Sequence, residues 1–203
     1  LTFEQAKVTE LSNVTATLCY HENRDKNNFC PDCGMQFVIA VRTGNVETLF
    51  DTFEDAIHYA EQHDGCTVKL LQDLTLNEAT VGSLLVDGYK VELRPGSYTI
   101  DLNGKALNLN GNYFIVSGNG NLTIDDRAGG GKVMSSGSDL FGSVYAGSSG
   151  GNEAKLTVTG GEFTVDLTSY DRNALVLKGG SFASVTSNRW SYCSLFTYLA
   201  DGY

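Results

Sequence analysis

From Thr67 onward, apolar and polar residues alternate in brief runs: TVKLLQDLTL, YKVELRPGSYTIDLNG, NYFIVSG, NLTIDD, KLTVTGGEF and ALVLKGGSF. Alternation with period two marks half-buried strands, because successive side chains point to opposite faces. Each run is short and ends in Gly, Asn or Asp, residues that turn a chain. LTVTGGEF at 156–163 aligns with LVLKGGSF at 175–182, keeping Gly-Gly-x-Phe in register, and LTIDDRAGGGKV from Leu122 is a weaker third copy. A repeat of about twenty residues with inward-pointing aliphatics predicts a parallel β-solenoid, each coil burying Leu, Val and Ile against its neighbours. An antiparallel sandwich is the alternative, but its strands should recur every 8 to 12 residues or so, closer than this repeat.

Upstream the pattern differs. Residues 3–18 and 36–42 read as strands, and DTFEDAIHYAEQHDG at 51–65 is the one convincing helix. Asp51 or Thr52 can cap it, Glu54 and Asp55 suit its positive end, and Phe53, Ala56, Ile57 and Ala60 form one apolar stripe. Such a helix is expected to cap the N-terminal end of the solenoid and shield its strand edges. This divides the chain into residues 1–50, strands around a cysteine-bearing loop, and residues 51–203, the helix and the β-solenoid as one continuous unit.

That loop, CYHENRDKNNFCPDCG, holds Cys19-x-His21 and Cys30-Pro-x-Cys33-Gly34. Three sulfurs and one imidazole suit tetrahedral zinc, and four protein ligands leave no position for a reacting water, so the expected ion is structural. A disulfide between Cys30 and Cys33, with Cys19 free, is the competing reading. Cys66 and Cys193 lie far away beside apolar runs and read as buried thiols.

With 203 residues, a formal net charge of −10 and pI near 4.6, the chain is a poor partner for nucleic acid or an anionic membrane. No run is long enough to span a bilayer. A chain that starts without Met and stops at LADGY reads as a piece of a longer, multi-module protein. Asp125 and Asp126 are adjacent, so on a strand they face opposite ways and cannot act as a facing acid/base pair; they read as the start of a turn. Asp166, Asp171 and Arg172 form a second polar group that reads as turn or surface. His58 and His63 read as solvated. No nucleophile triad, phosphate loop or dinucleotide fingerprint is present. Tyr145, Tyr170, Arg172, Trp190 and Tyr192 are the candidate partner-binding residues, because Tyr, Trp and Arg anchor binding surfaces.

Several phrases resemble a known family, the repetitive cell-surface proteins of Gram-positive, often gut-dwelling, bacteria. TFEDAIHYAEQHDGCTVKLLQDLTL is similar to their helix followed by "TVxLLxDxT", YTIDLNGKALNL to "xIDLNGxxL", GGSF and GGEF to "GGxF", and SLFTYLADGY to "LLxxGY". Some members carry a Cys-x-His…Cys-x-x-Cys insert before the helix. The resemblance implies an all-β fold, a right-handed parallel β-helix with one N-terminal capping α-helix and a small zinc-binding loop. It also implies an extracellular, non-enzymatic module on a bacterial surface, an adhesin binding a host protein or glycan such as an immunoglobulin or mucosal glycoprotein. The irregular stretch 127–155 departs from the repeat and is where a partner would be set. A carbohydrate-active β-helix enzyme and a passive spacer are the rival expectations.

Overall fold

The computed structural model describes residues 19–94, 96–136, 143–147, 154–169, 174–187 and 199. In chain order its elements are β1 (Ile39–Thr43), β2 (Val46–Phe50), α1 (Phe53–Glu61), β3 (Thr67–Leu70), β4 (Leu74–Thr75), α2 (Glu78–Val81), β5 (Leu85–Val86), β6 (Lys90–Leu93) and β7 (Ser97–Asp101). There follow β8 (Ala106–Asn108), β9 (Tyr113–Val116), β10 (Asn121–Asp125), β11 (Lys132–Met134), β12 (Ser143–Ala146), β13 (Lys155–Val158), β14 (Glu162–Ser169), β15 (Leu175–Leu177) and β16 (Ser181–Ser187). The strand-like stretch 3–18 lies outside the described residues.

The strands form two mixed sheets. One runs β15-β13-β10-β7-β3-β1-β2; the other runs β4-β8-β11-β14-β12-β9-β6-β5, with β16 also paired to β14. This corrects the expected right-handed parallel β-helix with a capping helix. β1 pairs antiparallel with both β2 and β3, and β5 pairs antiparallel with β6, while the other ladders are parallel. An antiparallel sandwich is equally excluded by those parallel ladders.

Two tight turns account for two of the three antiparallel pairs, β1 with β2 and β5 with β6. Thr43 faces Val46 across a two-residue connection in which Gly44 has φ 59°, the left-handed first position that a short hairpin favours. Between β5 and β6, Asp87 and Gly88 have φ 56° and 77°. Neither segment belongs to the Gly-Gly-x-Phe repeat, so periodicity carried no information about them.

The helix is also no cap. Thr52 accepts a hydrogen bond from the Asp55 amide, as its sequence position suggested, and Phe53, Ala56, Ile57 and Ala60 are fully buried. Yet α1 lies along β1, β2, β3 and β7 of one sheet, while Phe53 meets Phe114 of β9 in the other, ring centroids 6.5 Å apart. The stripe thus joins a core shared by both sheets, running from Ile39 to Leu177.

Within the parallel part the repeat does report neighbours. Leu122, Leu156 and Leu175 stand opposite one another, and Ile100, Ile124, Val158 and Leu177 form a second row. All seven are buried, each contributing about 1.5–3 kcal/mol relative to exposure. The glycine pairs have a steric cause. A Cβ on Gly179 would strike the Thr159 carbonyl and one on Gly160 would crowd the Asp126 amide, while Gly161 and Gly180 have φ of 93° and 95°. The first glycine lets neighbouring backbones approach, the second makes a left-handed turn, and Phe163 then lies beside Phe182 at 5.4 Å.

Candidate metal centre

The loop from Cys19 to Gly34 has little regular structure and is held by turns. The Asp25 carboxylate accepts from the amides of Asn27 and Phe29 at 2.8 and 2.9 Å. Asn28 takes φ 61°, and its carbonyl accepts from the Phe37 amide at 3.0 Å. Phe29 forms an isolated antiparallel bridge with Gln36. The Cys30 amide donates to Met35 O, and the Gly34 amide to Cys30 O, both at 2.8 Å. Gly34 makes this return with φ 75°, so the Cys-Pro-x-Cys-Gly segment turns back on itself before β1 begins. At 3.7 Å, Arg24 pairs with Glu47 of β2 and ties the loop to the hairpin.

This folding gathers the four side chains that the sequence singled out. One ligand atom each from Cys19, His21, Cys30 and Cys33 lies within 4.8 Å of all the others. Cys19 Sγ is 3.3 Å from His21 Nδ1 and 3.4 Å from Cys30 Sγ, and Cys33 Sγ is 3.4 Å from the same nitrogen. Cys30 is buried, Cys19 and His21 are half-buried, and Cys33 is exposed. The three cysteines are free thiols, so the Cys30–Cys33 disulfide is not formed. Tyr20, Glu22, Asn23 and Asp32 complete an open cleft beside the cluster.

The thiols are already unequal. The His21 imidazole, assisted by hydrogen bonds from Cys19 and Cys33, draws Cys30 down to about 6. Although the His21 backbone favours its ionised form, Cys19 rises to about 11, driven by its neighbour Cys30 and by desolvation. One sulfur therefore ionises readily while another keeps its proton, and a cation placed among them would take that proton's role. Three soft sulfurs and an imidazole nitrogen form a donor set able to hold a metal ion.

Phe37 is a neighbour that the sequence did not disclose as part of the site. It is 3% exposed, and its ring meets the His21 imidazole edge-on with centroids 4.7 Å apart. Its place in the run QFVIAVR marked it only as part of a strand.

Of the partner-binding candidates, only Tyr145 lies among the described residues. Tyr145 lies on β12, edge-on to Tyr113 at 5.3 Å, and Tyr113 is edge-on to Tyr89 at 5.8 Å. Tyr170, Arg172, Trp190 and Tyr192 lie outside the described residues, as do Asp171 and Cys193. Cys66 is buried, 1% exposed. His63 is not simply solvated: it stacks on Tyr59 at 4.0 Å and bonds that residue's carbonyl at 2.7 Å.

The carboxylates serve turns. Asp126 accepts from the amides of Gly104 and Gly131, each at 2.7 Å. Asp125 accepts from Thr159 Oγ1 at 2.8 Å and from Arg127 Nε at 3.2 Å. Burial pushes the Asp125 carboxyl up, but these bonds outweigh it and hold the group below its ordinary value. Asp101, 4% exposed, accepts from the amides of Asn103 and Arg127.

In comparisons with known proteins, no family model, no curated protein and no solved structure matches this chain.

Proposed function

We propose that Cys19, His21, Cys30 and Cys33 hold one structural zinc ion, and that the chain is a non-catalytic binding module of a bacterial surface protein. The observation that carries the zinc reading is the convergence of three sulfurs and one nitrogen within 4.8 Å. Tetrahedral bonds of about 2.3 Å to sulfur and 2.0 Å to nitrogen would place donor atoms roughly 3.5–3.8 Å apart. The contacts of 3.3 and 3.4 Å would open slightly, and the wider pairs, up to 4.8 Å apart, would draw in, to reach that geometry. Four protein donors complete the coordination shell and leave the ion a fastening role. It would join the loop, through Phe37 and Arg24, to the hairpin of β1 and β2.

The non-catalytic reading is supported by the acids themselves. Asp101, Asp125 and Asp126 spend their oxygens on backbone amides and neighbouring side chains, and a depressed Asp125 is a poor proton donor. The surface location and a host protein or glycan as partner rest on the sequence resemblance.

Metal analysis of protein purified without added metal tests the zinc. About one zinc per chain, and a melting temperature lowered by chelator, are expected; protein free of zinc whose melt ignores chelator overturns it. For the binding role, immobilised protein is expected to retain a glycoprotein or immunoglobulin from mucosal secretions. Retention of nothing beyond a blank resin favours the spacer instead.

A further inference from the structure

We infer that His21 gives the metal its Nδ1 and not its Nε2, and that Phe37 is the positioning residue that steadies the ring in that pose. The inference rests on the metal reading above and deepens it.

The spacing sets the problem. Cys19 and His21 are separated by a single residue, so two side chains of very different length must reach one ion. Nδ1 is bonded to Cγ, close to the backbone, whereas Nε2 lies at the far edge of the ring. A short reach therefore selects Nδ1, and two contacts agree: Nδ1 is 3.3 Å from Cys19 Sγ and 3.4 Å from Cys33 Sγ. His21 also has φ 56°, the left-handed region that a non-glycine residue seldom occupies. That turn bends the chain at the histidine, whose Nδ1 then lies beside two of the sulfurs.

Rotation of the ring by half a turn about Cβ–Cγ would replace Nδ1 with a carbon and aim the nitrogens elsewhere. Phe37 opposes that rotation. Its ring sits edge-on to the imidazole at 66°, and it is 3% exposed, with its amide held by Asn28 O at 3.0 Å. A fixed aromatic against one side of a half-buried imidazole limits the ring's sway and steadies the nitrogen that already faces the sulfurs. Groups that orient a metal-binding histidine typically change affinity by about 10–100-fold when removed.

The test uses the whole chain loaded with spin-active cadmium, with histidine nitrogens isotopically labelled, read by NMR. Cadmium coupling is expected at Nδ1 of His21, with the proton on Nε2. Coupling at Nε2 overturns the inference and leaves the metal reading standing; failure to take up cadmium or zinc overturns both. Phe37→Leu is expected to keep the coupling at Nδ1, since the reach is unchanged, but to weaken cadmium binding about tenfold, while Phe37→Tyr keeps wild-type binding. A Phe37→Leu protein that binds cadmium as tightly as the wild type removes the positioning role. His21→Cys supplies a readout that leaves Phe37 in place. A thiol reaches about as far as Nδ1, so this variant is expected to bind cadmium stoichiometrically with added sulfur-to-metal absorbance; loss of binding points to Nε2 and overturns the inference.

Discussion

Cys19 Sγ lies 3.4 Å from Cys30 Sγ, although the loop turns several times between them and only Cys30 is buried. The buried thiol is the fixed corner of the cluster, because its amide and carbonyl are both bonded within the same turn, to Met35 and Gly34. Cys30→Ser is therefore expected to weaken zinc binding by more than about a hundredfold, beyond the loss caused by removing an orienting neighbour. Competition with a chromogenic chelator measures it. Cys66→Ala removes a thiol that lies in the apolar core and contacts Ala60 O at 3.9 Å. It is expected to keep the full zinc content; loss of zinc there would contradict the assignment of ligands.

Phe114 is fully buried and meets Phe53, so it is where the helix and the second sheet share a core. Phe114→Ala is expected to lower stability by about 3–5 kcal/mol, read from denaturant melts. A loss under about 1 kcal/mol would mean that α1 does not bridge the sheets.

Gly179 has no room for a side chain against Thr159. Gly179→Ala is expected to cost about 1–3 kcal/mol through overpacking, whereas Lys178→Ala, an exposed change one residue away, should stay within about 0.5 kcal/mol. Equal melting temperatures for the two variants would refute the close approach of the backbones.

Glu92 accepts a bond from Ser117 Oγ at 2.6 Å and pairs with Arg94 at 3.3 Å. The Ser117 hydroxyl first, and then Arg94, hold its carboxyl below the usual 4.5. In the unfolded chain the carboxyl keeps its proton to higher pH, so the stabilisation is complete above the unfolded pKa and fades as pH falls through the folded one. The stability advantage of the wild-type protein over Glu92→Gln, measured by denaturant melts, is expected to be steady near pH 7 and to shrink as pH falls below the unfolded carboxyl's value of about 4.3. A gap that stays constant to pH 3 would place the bond elsewhere.

Local signals were legible where chemistry repeats at short range. The Cys-x-His and Cys-Pro-x-Cys spacing named all four clustered ligands, and the stripe of Phe53, Ala56, Ile57 and Ala60 named the buried face of α1. The Gly-Gly-x-Phe repeat told which strands lie side by side, since Phe163 does stand opposite Phe182. It did not give the strand direction upstream, which Gly44 and Asp87-Gly88 decide through backbone angles. Nor did it reveal long-range bonds, such as Asp64 Oδ1 accepting from the Ser97 amide or Asp73 Oδ1 from that of Ala106. A turn residue shows in sequence that it can accept a bond; the amide that it meets is set by how the sheets stack. Phe37 was missed for the same reason, because packing on His21 leaves no trace in the strand pattern.

β14 pairs through its first half with β11 and through its second half with β12. Among the described residues it is thus the seam of the second sheet: without it, β4-β8-β11 and β12-β9-β6-β5 share no ladder. Release of an outer strand leaves most of the sheet joined, but release of β14 parts three strands from four and also frees β16. The slowest amide exchange in this half of the molecule is therefore expected along β14.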